Sequence, residues 1–152
     1  MFSATVEYAL RAMVVLADHN GTPRTAVQIA DVSQVPADYL LKVMQPLTRA
    51  RLVVGQRGKH GGFTLAKPPA EVSILDIVNA VEPIRRIESC PLRISAHGTA
   101  LCPLHRKLDN AMAHVEDALR GTTLAHLVSE PTPMKPLCGA IANAQVPSLP
   151  TR

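Results

Sequence analysis

The sequence predicts a mainly α-helical fold carrying one small β-hairpin. Three observations support this expectation. Among 152 residues there are two Tyr, two Phe and no Trp, so the core has to be built from Leu, Val, Ile, Ala and Met, a mixture that suits helices better than a β-sandwich. Several segments repeat apolar residues at spacings of three and four, the helical period. Between them, two short β-like runs flank a Gly-rich basic loop. The length fits one ordinary domain, or a small domain plus an appendage, and such a chain needs no disulfide staple. With 47% apolar and 18% charged residues it is not a wholly disordered chain. The formal net charge of +4 permits a nucleic-acid partner without requiring one. An odd count of three cysteines excludes a complete disulfide framework. The first apolar run is short, lacks a basic lead and carries Glu7 and Arg11, so neither a signal peptide nor a membrane span is expected. A cytoplasmic protein with reduced thiols is the resulting expectation.

Taken in order, Val6, Leu10, Met13, Val14 and Ala17 set a first helix over 4–17, stopped by the turn residues from His19 to Pro23. Thr25 caps a short second helix reaching about residue 32, with Val27, Ile29 and Ala30 on it. After a tight connection, Pro36 suits the first position of a third helix over 37–50 that buries Leu40, Val43, Met44 and Leu47. Pro46 inside it is expected to kink it or leave one ladder bond unmade. Leu52-Val53-Val54 and Phe63-Thr64-Leu65 then flank the loop 56–62 as a hairpin with a long tip. Three helices followed by a hairpin is the order of a winged helix-turn-helix.

Lys67-Pro68-Pro69 marks a boundary, so residues 1–68 are expected to form the winged helix-turn-helix. Residues 69–129 are expected to supply a loop and helices, one of them with the seam that a dimerisation helix needs. In this stretch Ser73 caps a helix carrying Ile74, Leu75, Ile77, Val78 and Val81, ended by Pro83, and 85–100 reads as loop. From Leu101 through Leu104, Leu108, Met112, Val115 and Leu119 a narrow apolar seam runs along a long helix. A helix paired with its own copy needs such a seam, and packing within one chain fits the same spacing. Gly121 and two threonines break that helix, 124–128 make one more short turn, and the Pro-rich stretch 130–152 is expected to be disordered.

The third helix exposes Asp38, Tyr39, Lys42, Gln45 and Arg49. A duplex admits a helix into its major groove, where residues near the N-terminal end reach base edges. Asp38 has the acceptor for a cytosine amine, while Lys42 and Gln45 suit purines or phosphate. The expected interface adds Thr25 at the second helix and Arg57, Lys59 and His60 in the loop, where glycines let backbone approach a phosphate. A slim loop also fits a minor groove, where Arg is favoured. A charge cluster alone is more often a solvated turn; the ordered set of helices and basic hairpin is what favours DNA.

Cys90 and Cys102 lie twelve apart with His97 between them, and His105 follows Cys102 by about one helical turn. Two thiols and two imidazoles have the chemistry for zinc or an iron–sulfur cluster, and two ordinary cysteines around a loop fit the spacing equally well. The paired C-x2-C spacing of zinc ribbons is absent. A catalytic cysteine with His97 or His105 as base has no supporting motif, so no enzyme is expected. Cys138 stands apart in the Pro-rich stretch.

With VEYALRAMVVLA, PADYLLKVMQPLTRARLV, QRGKHGGFTLAKP and SILDIVNAVE assembled, the chain resembles a family of winged-helix regulators. That family includes the iron–sulfur cluster regulator, the nitric-oxide-sensitive repressor and the rhizobial iron regulator. The resemblance covers about residues 1–129 and is most specific from Arg57-Gly58 through Gly61-Gly62-Phe63 to Leu65. It implies a homodimer joined by the long helix over 101–120, each subunit presenting one recognition helix to half of a near-palindromic operator in double-stranded DNA. Asp38, Tyr39 and Lys42 fall where family members contact bases and phosphates, and Arg57 where the wing arginine enters the minor groove. Cys90 and Cys102 match the first and last of three cluster cysteines, but the middle position is Ala96. His97 stands beside that gap, His105 matches a histidine after the last cysteine, and Glu7 matches a glutamate ligand supplied by the partner's first helix. The implied site is therefore Cys90 and Cys102 with His105 or Glu7, and His97 behind them, favouring a [2Fe–2S] centre over [4Fe–4S]. The resemblance equally includes cluster-free members that switch by cysteine oxidation or a bound molecule. The implied function is a repressor responding to iron–sulfur, redox or nitric-oxide status.

Overall fold

A computed structural model describes residues 2–19, 21–91, 100–131 and 136–137. Helix α1 spans Ala4–Asp18, α2 Ala26–Ser33 and α3 Ala37–Arg49. Strands β1 (Val53–Gln56) and β2 (Gly62–Leu65) form an antiparallel hairpin, and α4 (Ile74–Val81), α5 (Pro103–Arg120) and α6 (Leu124–Ser129) complete the chain. The mainly α architecture with a β-hairpin wing is as expected, and among the described residues no helix is long and apolar enough to cross a membrane.

The core is gathered around α1. Ser3 caps it by accepting from the Val6 N–H, and Val6, Ala9, Ala12, Met13, Val15 and Leu16 are all at most 2% exposed. Outside the strip that carries Glu7 and Arg11, burial on this many sides requires several partners around the helix. Those partners are α2, α3, α4 and α6. Ala9 and Ala12 leave room for them to approach closely, and Ile29, Leu40, Ile77 and Leu124, each fully buried, fill the spaces. The same cluster runs from Val6 to Leu124.

Local chemistry sets the helix starts. Thr25 and Gln28 make a capping box at α2, Ser73 and Asp76 one at α4, and Thr123 and His126 one at α6. Between α2 and α3 the chain turns through Gln34 in the left-handed region (φ 55°). Pro36 sits one position earlier than the sequence suggests: it is the N-cap of α3, and its carbonyl accepts from the Tyr39 and Leu40 N–H groups. Proline cannot cap with its side chain, but its extended backbone (φ −54°, ψ 128°) aims the carbonyl into the first turn. α3 runs through Pro46, where the missing N–H leaves the ladder bond to Lys42 unmade.

The hairpin is longer than the sequence suggests. Gln56 pairs with Gly62, so only 57–61 remain as the tip. A third segment joins it: Arg24, in the α1–α2 connection, exchanges both backbone hydrogen bonds with Phe63, at 3.0 and 2.7 Å. A Cβ on Gly62 (φ 151°) would lie 2.6 Å from the Arg24 carbonyl. Only glycine allows that closure. At the other end, Leu124 N–H donates to Val72 and Ile74 N–H to Thr122, which returns α6 to the core beside α4. Substitution Gly62→Ala is expected to destabilise the chain by more than about 1 kcal/mol and lower the unfolding temperature by at least ~3 °C. Calorimetry of the variant checks this; an unchanged transition would mean that Arg24 does not hold the wing.

Candidate nucleic-acid interface and sensor segment

The apolar side of α3 (Leu40, Val43, Met44, Leu47) is buried, which leaves Asp38, Lys42, Gln45 and Arg49 exposed along the other side. Asp38 lies in the first turn and Arg49 in the last, favourable ends for their charges. Tyr39 is not free to the same degree. It is half-buried, its hydroxyl lies 2.8 Å from Thr5 Oγ1, and its ring meets Tyr8 edge-on with centroids 5.7 Å apart. The Lys42 ammonium stands 5.7 Å from the Tyr39 ring centroid, within cation–π range. Tyr39 thus ties the recognition helix to α1 and steadies Lys42.

Arg57, Lys59 and His60 project from the exposed hairpin tip, which closes through a Gly61 N–H bond to Gly58. A Cβ on Gly61 would lie 2.4 Å from the Gln56 carbonyl, so this tight tip also demands glycine. Thr25 is exposed at the start of α2, with its Oγ1 held by the Gln28 N–H. Two residues missed by sequence reasoning belong here. Arg24 was passed over as part of a turn, yet its Nε is buried without a hydrogen-bond partner among the described residues. Leu41, assigned to neither the buried nor the exposed set from the sequence, is 53% exposed.

The sensor segment is only partly assembled. Cys102 is the N-cap of α5, and its Sγ lies 3.3 Å from His105 Nδ1 because N-cap and N3 share a helix face. Cys90 is buried at 6% exposure. The stretch leading to it is tied to α5: Arg86 grips Asp109 with Nε and Nη2 at 2.7 and 2.6 Å and reaches Glu116 with Nη1 at 3.2 Å. Asp109 also accepts from the Ile87 N–H at 2.9 Å. Glu7, on the exposed side of α1, pairs with Arg11 at 3.0 Å. Among the described residues no three His, Cys, Asp or Glu side chains are gathered as a metal ion requires. Ala96, His97 and Cys138 lie outside the described residues.

A helix-turn-helix with an exposed polar recognition face and a basic, glycine-turned wing defines a DNA-binding winged-helix protein. The chain belongs to the Rrf2 family: the family model, described as an iron-dependent transcriptional regulator, matches residues 2–130. A relative in Aquifex aeolicus (strain VF5), provisionally named an HTH-type transcriptional regulator, is 33% identical over 132 residues, covering 85% of this chain and 92% of that protein. Among solved structures, the global cysteine regulator CymR (YrzC) of B. subtilis is similar with a TM-score of 0.72 and 29% identity, over 87% of this chain and 98% of that one. IscR of T. potens is similar in fold, with a TM-score of 0.69 and 23% identity over 97% and 93% of the two chains. The family is one of transcriptional regulators, so the expectation of a non-enzyme holds at that level.

Hydrogen bonds from the Arg86 guanidinium and the Ile87 N–H lower the Asp109 carboxyl from 3.8 to about 2. A lowered carboxyl stabilises the fold above its unfolded value, and that contribution fades as pH falls from about 4 toward 2. Asp109→Asn is therefore expected to flatten this part of the pH–stability curve, read by thermal unfolding in that window. A variant with the parent's acid dependence would show that Arg86 does not engage Asp109 in solution.

Proposed function

We propose that this regulator binds duplex DNA as a homodimer and represses transcription, with α3 in the major groove and the wing at an adjacent minor groove. The carrying observation is the exposed row from Asp38 to Arg49 beside the cationic wing tip. Asp38, Lys42 and Gln45 face base edges; Thr25, Arg49, Lys59 and His60 face phosphates; Arg57 enters the minor groove. Dimerisation is supported by α5, an 18-residue helix with no buried side chain that exposes Leu104, Leu108, Met112 and Val115 in one stripe. Apolar residues recurring at that spacing over several turns are what a partner helix covers.

The sensing group in this reading is the Cys90–Cys102 segment. The Cys102–His105 contact supports it, since it sets a thiol and an imidazole side by side as two donors. Two chemistries use these residues. In the first, Cys90 and Cys102, with His105 or a second copy's Glu7 and with His97 nearby, hold a [2Fe–2S] cluster, which would supply a redox- and nitric-oxide-responsive centre. The described residues of one chain do not complete such a donor set, so this chemistry requires a ligand from the second copy or from the segment between the two cysteines. In the second, Cys90 and Cys102 pass between dithiol and disulfide, oxidised by an external disulfide or peroxide. The similarity to CymR is compatible with this one. Either way, the route to DNA runs through side-chain contacts between the elements. Arg86 links the segment before Cys90 to α5, the Ser3 hydroxyl donates to Glu82 at the end of α4, and Thr5 and Tyr8 of α1 hold Tyr39 of α3. A shift of α1 therefore repositions the recognition helix.

Arg57→Ala is expected to weaken binding to a selected duplex about ten-fold and reduce the salt slope by about one; unchanged affinity and slope would remove the wing from the interface. Anaerobic purification with iron and sulfide assay separates the two chemistries. A cluster is expected to give visible absorbance that Cys90→Ala and Cys102→Ala abolish, and full retention in both variants would discard this site. The thiol switch predicts colourless protein whose duplex affinity changes with oxidant.

A further inference from the structure

The exposed row of α3 is polar or charged except at one place. Leu41, the fifth residue of the helix, is 53% exposed while its neighbour Leu40 is fully buried. At about 100° per residue, Leu41 and Lys42 fall on opposite borders of the row, with Asp38, Gln45 and Arg49 between them. Lys42 leans toward Tyr39 and α1. Leu41 lies on the wing side, where it walls an open groove of about 480 Å³ together with Met44, Thr48 and Phe63, with Gln45 and Arg49 at the rim. The groove thus has an apolar floor inside a cationic surface formed by Lys42, Arg49 and the wing tip.

That combination selects its occupant. The flanking cations suit a polyanion, and phosphates offer nothing to an apolar floor. Within a duplex the apolar feature accessible to a helix in the major groove is the thymine C5 methyl. Leu41 also lies in the N-terminal half of the recognition helix, the half that reaches base edges. We infer that Leu41 is a specificity-determining residue of this regulator, reading a thymine methyl in each half-site through the groove it shares with Phe63. The inference rests on the proposed placement of α3 in the major groove. It gives the site a preference that its hydrogen-bonding residues do not supply, because a methyl carries no donor or acceptor.

The test uses the full chain and duplexes enriched by it from a randomised pool. Each dT of an enriched duplex is replaced in turn by dU, which removes the methyl and leaves the pairing edge intact. With the wild-type chain, at least one dT per half-site is expected to lose about four-fold in affinity on replacement, the worth of one buried methyl. Leu41→Ala and Leu41→Gln are expected to bind the dT and dU forms equally well. Thermal unfolding of both variants is expected to match the parent, because Leu41 lies outside the core. The inference is overturned if no replacement affects the wild-type chain, or if both variants keep its sensitivity. It is overturned together with the regulator reading if no duplex is enriched; enrichment without methyl dependence overturns the role of Leu41 alone.

Discussion

Helix α1 is enclosed on most of its circumference, and the rest of the molecule is arranged to enclose it. Its eight buried residues need partners on several sides at once, and α2, α3, α4 and α6 supply them. The constraint is steric as much as hydrophobic: Ala9 and Ala12 accept close neighbours, and a larger side chain at either would push a helix away. The recognition helix is one of these neighbours, so its angle is set partly by what α1 allows. At one end of α1, Ser3 reaches Glu82 while Thr5 and Tyr8 both hold Tyr39. A displacement of α1 therefore acts directly on α3, which it both packs against and holds through Tyr39.

Much of this was legible from residue order because the deciding interactions are local. Thr25 and Ser73 cap within three residues of themselves, and Cys102 meets His105 across one turn. The apolar spacing of α3 placed its buried and exposed sides correctly at Asp38, Lys42, Gln45 and Arg49. The features that escaped depend on partners distant in sequence. Arg24 pairs with Phe63 through backbone groups, which carry no side-chain signal, and the sole trace was a glycine at position 62. Tyr39 read as an exposed contact until Thr5 and Tyr8, more than thirty residues earlier, took up its hydroxyl and ring. Leu41 falls outside the buried set of Leu40, Val43, Met44 and Leu47, and its place beside Phe63 is visible only once the wing stands next to α3. The cysteine segment is the hardest case: a ligand set divided between distant elements, or between copies, leaves no fixed spacing to find.

The polar surface shows a division of labour. Arg86, Asp109 and Glu116 use their charges on one another, which holds a chain segment in place. Lys42, Arg57 and Lys59 form no ion pair among the described residues, and they cluster on α3 and the wing. Cations left unpaired in this way remain available to a polyanion. Arg24, whose Nε is buried without a hydrogen-bond partner among the described residues, pairs with Phe63 at the base of the wing.

The exposed stripe of α5 has a consequence for dosage. A helix with no fully buried side chain, whose apolar stripe Leu104, Leu108, Met112 and Val115 is left exposed, gains support from a partner that covers that stripe. On the proposed dimer, the population of fully folded, operator-competent protein then rises with the square of protomer concentration while most chains are monomeric, and more gently once they are paired. Such a regulator would respond weakly at low copy number and sharply over a narrow range of expression, so the amount of protein in the cell would itself be a signal, read by the unburied side of a single helix.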